Sequence, residues 1–164
     1  MALRKIRLEG DPVLTKKCRP VEEMNDRTRQ LMQAYAQLTG RQKRIVDAMG
    51  VGLAAPQVGI LKRIVVIDVG EGPIVMVNPK IVETSGEQTG DEGCLSIPGM
   101  AGEVTRPNYV KAIAFDENME EIQVEGTDLL ARAICHECDH LDGVMYTAHV
   151  NGELHRVEYD EEDE

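Results

Sequence analysis

The sequence predicts an α+β fold. Strand-like segments come in runs through the middle of the chain, and helical patterns stand before and after them. Nothing alternates strand with helix as a parallel doubly wound sheet requires. The 164 residues suffice for one domain with a core of its own, and a hydrophobic fraction of 42% is that of a globular chain. We assign a single domain to residues 1–157 and an acidic tail to 158–164.

Met1 to Val21 reads as an extended, turn-rich arm punctuated by Gly10-Asp11-Pro12. Asn25 is placed to cap a helix with Leu31, Met32, Tyr35 and Leu38 on its apolar side, interrupted at Thr39 to Gln42 and resumed over Ile45 to Met49. Arg63 to Val69 is the clearest strand. Pro73 to Val77 and Lys80 to Thr84 read as two more, separated by Asn78-Pro79. Val110 to Phe115 and Glu121 to Glu125 alternate around Asp116-Glu117-Asn118 as a hairpin does. Asp128 to Leu141 reads as a helix, with Thr127 to cap it and Gly143 to stop it.

Composition removes several classes of function. A net charge of −11 makes the chain a poor partner for phosphates, whose contacts need clustered Lys and Arg, so sequence-specific nucleic-acid binding is not expected. No apolar run reaches membrane-spanning length, so no membrane partner is expected. Met1 to Glu9 carries Arg4, Lys5 and Arg7 and lacks the apolar stretch of a secretory signal, which points to the cytoplasm. Four cysteines, at 18, 94, 135 and 138, are too few and too unevenly spread for a disulfide framework.

The chemistry concentrates in Cys135-His136-Glu137-Cys138-Asp139-His140. On a helix His140 lies about 40° round from His136 and one turn along, so both imidazoles reach one metal ion. Glu137 falls about 100° round, where a carboxylate touches a water beside the ion without ligating it. Cys138, at about 200°, points away, and Cys135 faces one side. Cys135-x-x-Cys138 also matches a thioredoxin-like redox pair, but that motif belongs at a helix N-terminus, and here the helix begins several residues upstream.

A third ligand is required, and the sequence offers several. The metzincin pattern runs as far as Gly143 and then fails at Tyr146, which excludes that group. Glu153 or Glu158 would complete a zinc peptidase of the His-Glu-x-x-His type, and His149 and His155 are further candidates. Upstream, Cys94 in Glu92-Gly93-Cys94-Leu95-Ser96-Ile97-Pro98 would present a thiolate. Gly50 to Gly59 resembles a dinucleotide fingerprint only superficially, because a helix precedes it and a strand follows. Its alternating glycines suit backbone that a ligand or another strand approaches closely. Gln57 offers an amide N–H to a developing oxyanion.

Taken together, Gly50-Val51-Gly52-Leu53-Ala54-Ala55-Pro56-Gln57, Glu92-Gly93-Cys94-Leu95-Ser96 and His136-Glu137-Cys138-Asp139-His140 resemble, in order, the three motifs of the peptide deformylase family. That resemblance implies antiparallel sheets packed around a central helix carrying His-Glu-x-x-His. It implies an amidohydrolase that takes the formyl group from N-terminal formyl-methionine of nascent peptides and releases formate. By resemblance Cys94, His136 and His140 hold one divalent metal, Fe(II) by expectation with Zn, Ni or Co as substitutes. Glu137 acts as acid and base, and Gln57 with the N–H of Leu95 faces the oxyanion. Val51 and Gly52 run beside the substrate backbone, while Leu129 and Ala133, on the ligand face of the helix, line the methionine pocket. Transient association with the ribosome is the remaining partner implied.

Overall fold

The computed structural model describes residues 6–23, Leu31 and 52–157. The expected helix from Asn25, its continuation over Ile45 to Met49, Val51 and the acidic tail 158–164 lie outside the described residues, apart from Leu31, which is helical and buried.

Among the described residues eight strands form two antiparallel sheets. The larger takes β1 (Leu53–Ala54), β2 (Ile64–Ile67), β3 (Ile74–Ser85), β6 (Tyr109–Phe115) and β7 (Glu121–Thr127), in the order β1-β2-β3-β6-β7. The smaller takes β4 (Gln88–Cys94), β5 (Ile97–Arg106) and β8 (His155–Arg156), in the order β4-β5-β8. Helix α1 (Asp128–Leu141) packs on β1, β2, β3, β6 and β7 and also meets β5. The α+β expectation and the central helix both hold.

Local chemistry explains the main differences from the sequence reading. The two strands expected around Asn78-Pro79 are one strand, β3, carrying a register shift between Val77 and Lys80. Asn78 takes φ of 51°, a left-handed geometry that Asn tolerates, and its side chain ties the bulge to the arm. Asn78 Nδ2 donates to Val21 O at 2.9 Å, and Val21 N donates back to Oδ1 at 2.8 Å. The β4–β5 hairpin had no sequence signal. Its inward positions are Glu92, Cys94, Ala101, Val104 and Arg106, so apolar alternation is replaced by buried charge and small residues.

From Ala131 to Leu141 every residue of α1 except Asp139 is buried. One side of the helix closes an apolar cluster against the large sheet, with Ala131, Ala133, Ile134, Cys135, Cys138 and Leu141 against Val65, Ile67, Met76, Val110, Ala112 and Ala114. The other side carries Arg132, His136, Glu137 and His140 toward the small sheet and the segment before it, so each polar group there needs a partner. Thr127 stands at the N-cap position, but its hydroxyl makes no cap hydrogen bond and donates instead to Asp128 Oδ2 at 3.3 Å. Gly143 ends the helix at φ 77°, where a Cβ would lie 2.5 Å from Thr15 O. Among the described residues no helix is long and apolar enough to cross a membrane.

Candidate metal centre and active site

Cys94 ends β4, one residue past a register shift, and the two-residue turn Leu95-Ser96 leads into β5. The bulge re-aims the Cys94 side chain toward α1. There the ligand atoms of Cys94, His136 and His140 all lie within 4.8 Å of one another, and all three residues are buried. Cys94 Sγ lies 3.4 Å from His140 Nε2. A tetrahedral ion with ordinary metal–sulfur and metal–nitrogen bonds holds such a pair about 3.6 Å apart, so the donor set fits an ion. Neither Glu153 nor His149 belongs to this group: Glu153 and His149 are exposed, and His149 Nε2 lies 3.1 Å from Asp139. His155, also exposed, pairs with Asp91 at 3.3 Å. Tyr146, where a metzincin would have its third histidine, stacks on the His136 ring at 6.0 Å between centroids.

Each imidazole is prepared for ligation. His136 Nδ1 sits 2.8 Å from Glu92 Oε1, and a carboxylate only accepts, so Nδ1 donates and Nε2 is left for the ion. Burial holds His140 well below the ordinary imidazole range and therefore neutral, as ligation demands.

Glu92 is the centre of a network that reading the sequence did not reveal. Arg106 grips it with two bonds, Nε to Oε2 at 2.8 Å and Nη2 to Oε1 at 2.9 Å. Arg132 Nη1 donates to Oε2 at 2.7 Å and to the carbonyls of Val104 and Gly90. The remaining arm of Arg106 reaches Asp139 Oδ2 at 2.7 Å. Burial alone would raise the Glu92 carboxyl, but its bonds to Arg106 and His136 bring it well below the usual carboxylate range. The one available signal was Arg132, four residues before His136 and hence on the ligand face of the helix.

Glu137 is fully buried. Its Oε2 accepts the Gly52 N–H at 3.1 Å, while Oε1 has no hydrogen-bond partner among the described residues. Burial pushes its carboxyl up to about 7, partly offset by His136 and the Gly52 N–H. A buried carboxylate oxygen without a partner, on a group titrating near neutrality, is what proton transfer needs.

Gln57 lies on the short 3-10 turn Ala55–Val58 and is 1% exposed. Its Oε1 accepts from Ala54 N at 2.9 Å, and Nε2 donates to Cys94 Sγ at 3.3 Å and to Ser96 Oγ at 3.2 Å. Leu95 is buried in the adjoining turn. Gly52 owes its identity to a neighbouring strand: a Cβ there would fall 1.6 Å from Val66 O. Gly52→Ala must therefore displace β2 or the Glu137 bond. A loss at or beyond the upper end of the roughly 1–3 kcal/mol typical of overpacking is expected in chemical denaturation.

Ala133 is fully buried in the cluster facing the large sheet, and Leu129 is 42% exposed. Cys18, Cys135 and Cys138 pack in the same cluster, and burial pushes their thiols up to about 11, 11 and 12. Such thiols are packing residues, not a redox pair.

The chain matches the family described as Polypeptide deformylase over residues 3–155. It is 61% identical over 164 residues to the peptide deformylase of Agathobacter rectalis, covering 100% of both chains. It is 55% identical to that of Lachnoclostridium phytofermentans, covering 100% of this chain and 99% of the relative. The crystal structure of peptide deformylase from Thermotoga maritima superposes with a TM-score of 0.80 at 33% identity, covering 93% of this chain and 100% of that one. With that match spanning nearly its whole length, and with a buried Cys-His-His group beside a buried glutamate, the chain belongs to the polypeptide deformylase family, hydrolases that remove the formyl group from N-terminal formyl-methionine.

Proposed function

We propose that residues 1–157 form one catalytic domain in which Cys94, His136 and His140 hold a single divalent ion, Fe(II) in the cell, with Zn, Ni or Co as substitutes. The observation that carries this reading is the convergence of one sulfur and two imidazoles within 4.8 Å beside a buried carboxylate. Thiolate and imidazole suit any of these ions, and a bound divalent ion supplies Lewis-acid polarisation and an acidified water at neutral pH.

The protein's own groups do the rest. Glu137, steadied at Oε2 by Gly52, takes a proton from the attacking water on Oε1 and returns it to the leaving nitrogen. The amide of Gln57, beside Cys94 Sγ, and the N–H of Leu95 face the oxyanion of the tetrahedral intermediate. Glu92 fixes the His136 ring, and Arg106 and Arg132 fix Glu92. Val51 and Gly52 run beside the substrate backbone, and Leu129 with Ala133 borders the methionine side chain. The enzyme works in the cytoplasm on peptides emerging from the ribosome, with transient ribosome contact.

Formate release from a formyl-methionyl peptide by anaerobically prepared protein, with a metal count on the same sample, tests this. One ion per chain and stoichiometric formate are expected. Cleavage of internal peptide bonds without formate would make it a zinc peptidase instead.

A further inference from the structure

The two residues assigned to the oxyanion sit on opposite sides of a seam. Gln57 follows β1, at the edge of the large sheet, and Leu95 follows β4, at the edge of the small one. No ladder joins β1 to β4 among the described strands. Within the site the segments meet through side chains, Gln57 Nε2 donating to Cys94 Sγ and Ser96 Oγ. Behind it one stretch of backbone bridges them. Arg7 N donates to Gln57 O at 2.7 Å, and Glu9 N donates to Ser96 O at 2.8 Å. Donors two residues apart share one edge of an extended chain and stand about 7 Å apart.

We infer that the segment Arg7–Asp11 is a positioning strap that crosses this seam and sets the distance between Gln57 and Leu95, so that both donors meet one oxygen. The inference rests on the oxyanion assignment given above.

The strap is built to hold still. Leu8, between the two donors, is 53% exposed, so side-chain packing does not anchor the segment there; the backbone bonds do. On one side the Arg7 guanidinium covers Gly59, the residue ending the Gln57 turn, and would lie 2.8 Å from a Cβ there. Arg7 Nη1 also donates to Asp11 Oδ2 at 3.0 Å. Asp11 Oδ1 caps the short turn Pro12–Thr15 by accepting from Val13 N at 3.0 Å. On the far side Leu14 is 1% exposed, and Cys18 N donates to Leu141 O at 2.8 Å, at the end of the ligand-bearing helix. The arm thus touches the backbone of the first two motif segments and of Leu141, the residue after the third. A displacement of about 1 Å in such an arrangement is enough to cost up to 100-fold in rate.

Proline at a donor position deletes one N–H and leaves the chain intact. Glu9→Pro is expected to lower kcat about ten-fold or more, with KM and bound metal unchanged, while Glu9→Ala, which keeps the N–H, matches the parent. In a Gln57→Ala background the same proline should lower the residual rate by less than about two-fold, because its partner in the cycle is already gone. Arg7→Pro should lower kcat at least as far, because it removes the guanidinium over Gly59 and its bond to Asp11 together with the N–H. Equal losses in both backgrounds, a loss that tracks metal content, or unchanged kcat would overturn the inference. Should both proline variants fail to fold, amide hydrogen exchange of the parent decides. Protected Arg7 and Glu9 amides support the strap, and exchange at the rate of free amides overturns it. Formate release by the parent protein reports on the functional reading independently of either outcome.

Discussion

Glu137→Ala is expected to keep its metal and lose turnover by about 10²–10⁴-fold, the range ascribed to a positioned general acid–base. The metal survives because Glu137 is not among the converging ligand atoms. Turnover falls because, among the described residues, nothing else is placed to do the work: Oε1 is the buried oxygen left without a partner, while the carboxylates of Glu92 and Asp139 are engaged by arginine. Glu137→Gln separates charge from shape. It can still accept the Gly52 N–H through its amide oxygen, so the fold should be retained while the rate falls nearly as far. Near-parental kcat/KM in either variant, measured by formate release at matched metal content, would refute the role of Glu137.

Glu92→Gln should be the more damaging change to the protein as a whole. Glu92 is 1% exposed and answers Arg106, Arg132 and His136 together. Neutralising it leaves two guanidinium groups, each about 6% exposed, without their buried counter-charge. Breaking a buried pair in this way costs about 3–5 kcal/mol. It also frees the His136 ring, and loss of such an orienting partner weakens metal binding about 10–100-fold. The pH dependence has a definite sign. The carboxyl is held below its ordinary value of 4.5, so its stabilisation is fully present above that pH and is lost as pH falls below it. The gap in unfolding free energy between parent and Glu92→Gln should therefore be widest near neutrality and narrow below about pH 4.5. A gap independent of pH would show that the ion pairs contribute nothing and that shape alone matters.

How much of this was legible depended on how local the signal was. The helix Asp128–Leu141 was read with both ends because its punctuation lies within two residues, with Thr127 before it and Gly143 after it. The β6–β7 hairpin was legible because Tyr109–Phe115 buries alternate residues, as a half-buried strand must. Cys94 entered as one candidate ligand among several, and only a resemblance to known motifs singled it out. The Glu92 network stayed hidden because its partners are 14, 40 and 44 positions away, and no periodicity links residues at such separations. The β4–β5 hairpin was missed for a related reason: charges that look like solvent-facing residues are the ones it buries. At Gly52 the sequence left open whether a ligand or another strand comes close, and Val66 O shows that a strand does.

The central claim is that a single sulfur from β4 joins two imidazoles of α1 around one ion. X-ray absorption on zinc-loaded protein tests it most directly. The account predicts one sulfur at about 2.3 Å and two imidazole nitrogens at about 2.0–2.1 Å, with Cys94→Ala losing the sulfur signal and most of the metal. A first shell without sulfur, or a Cys94→Ala protein that binds zinc as fully as the parent, would contradict it.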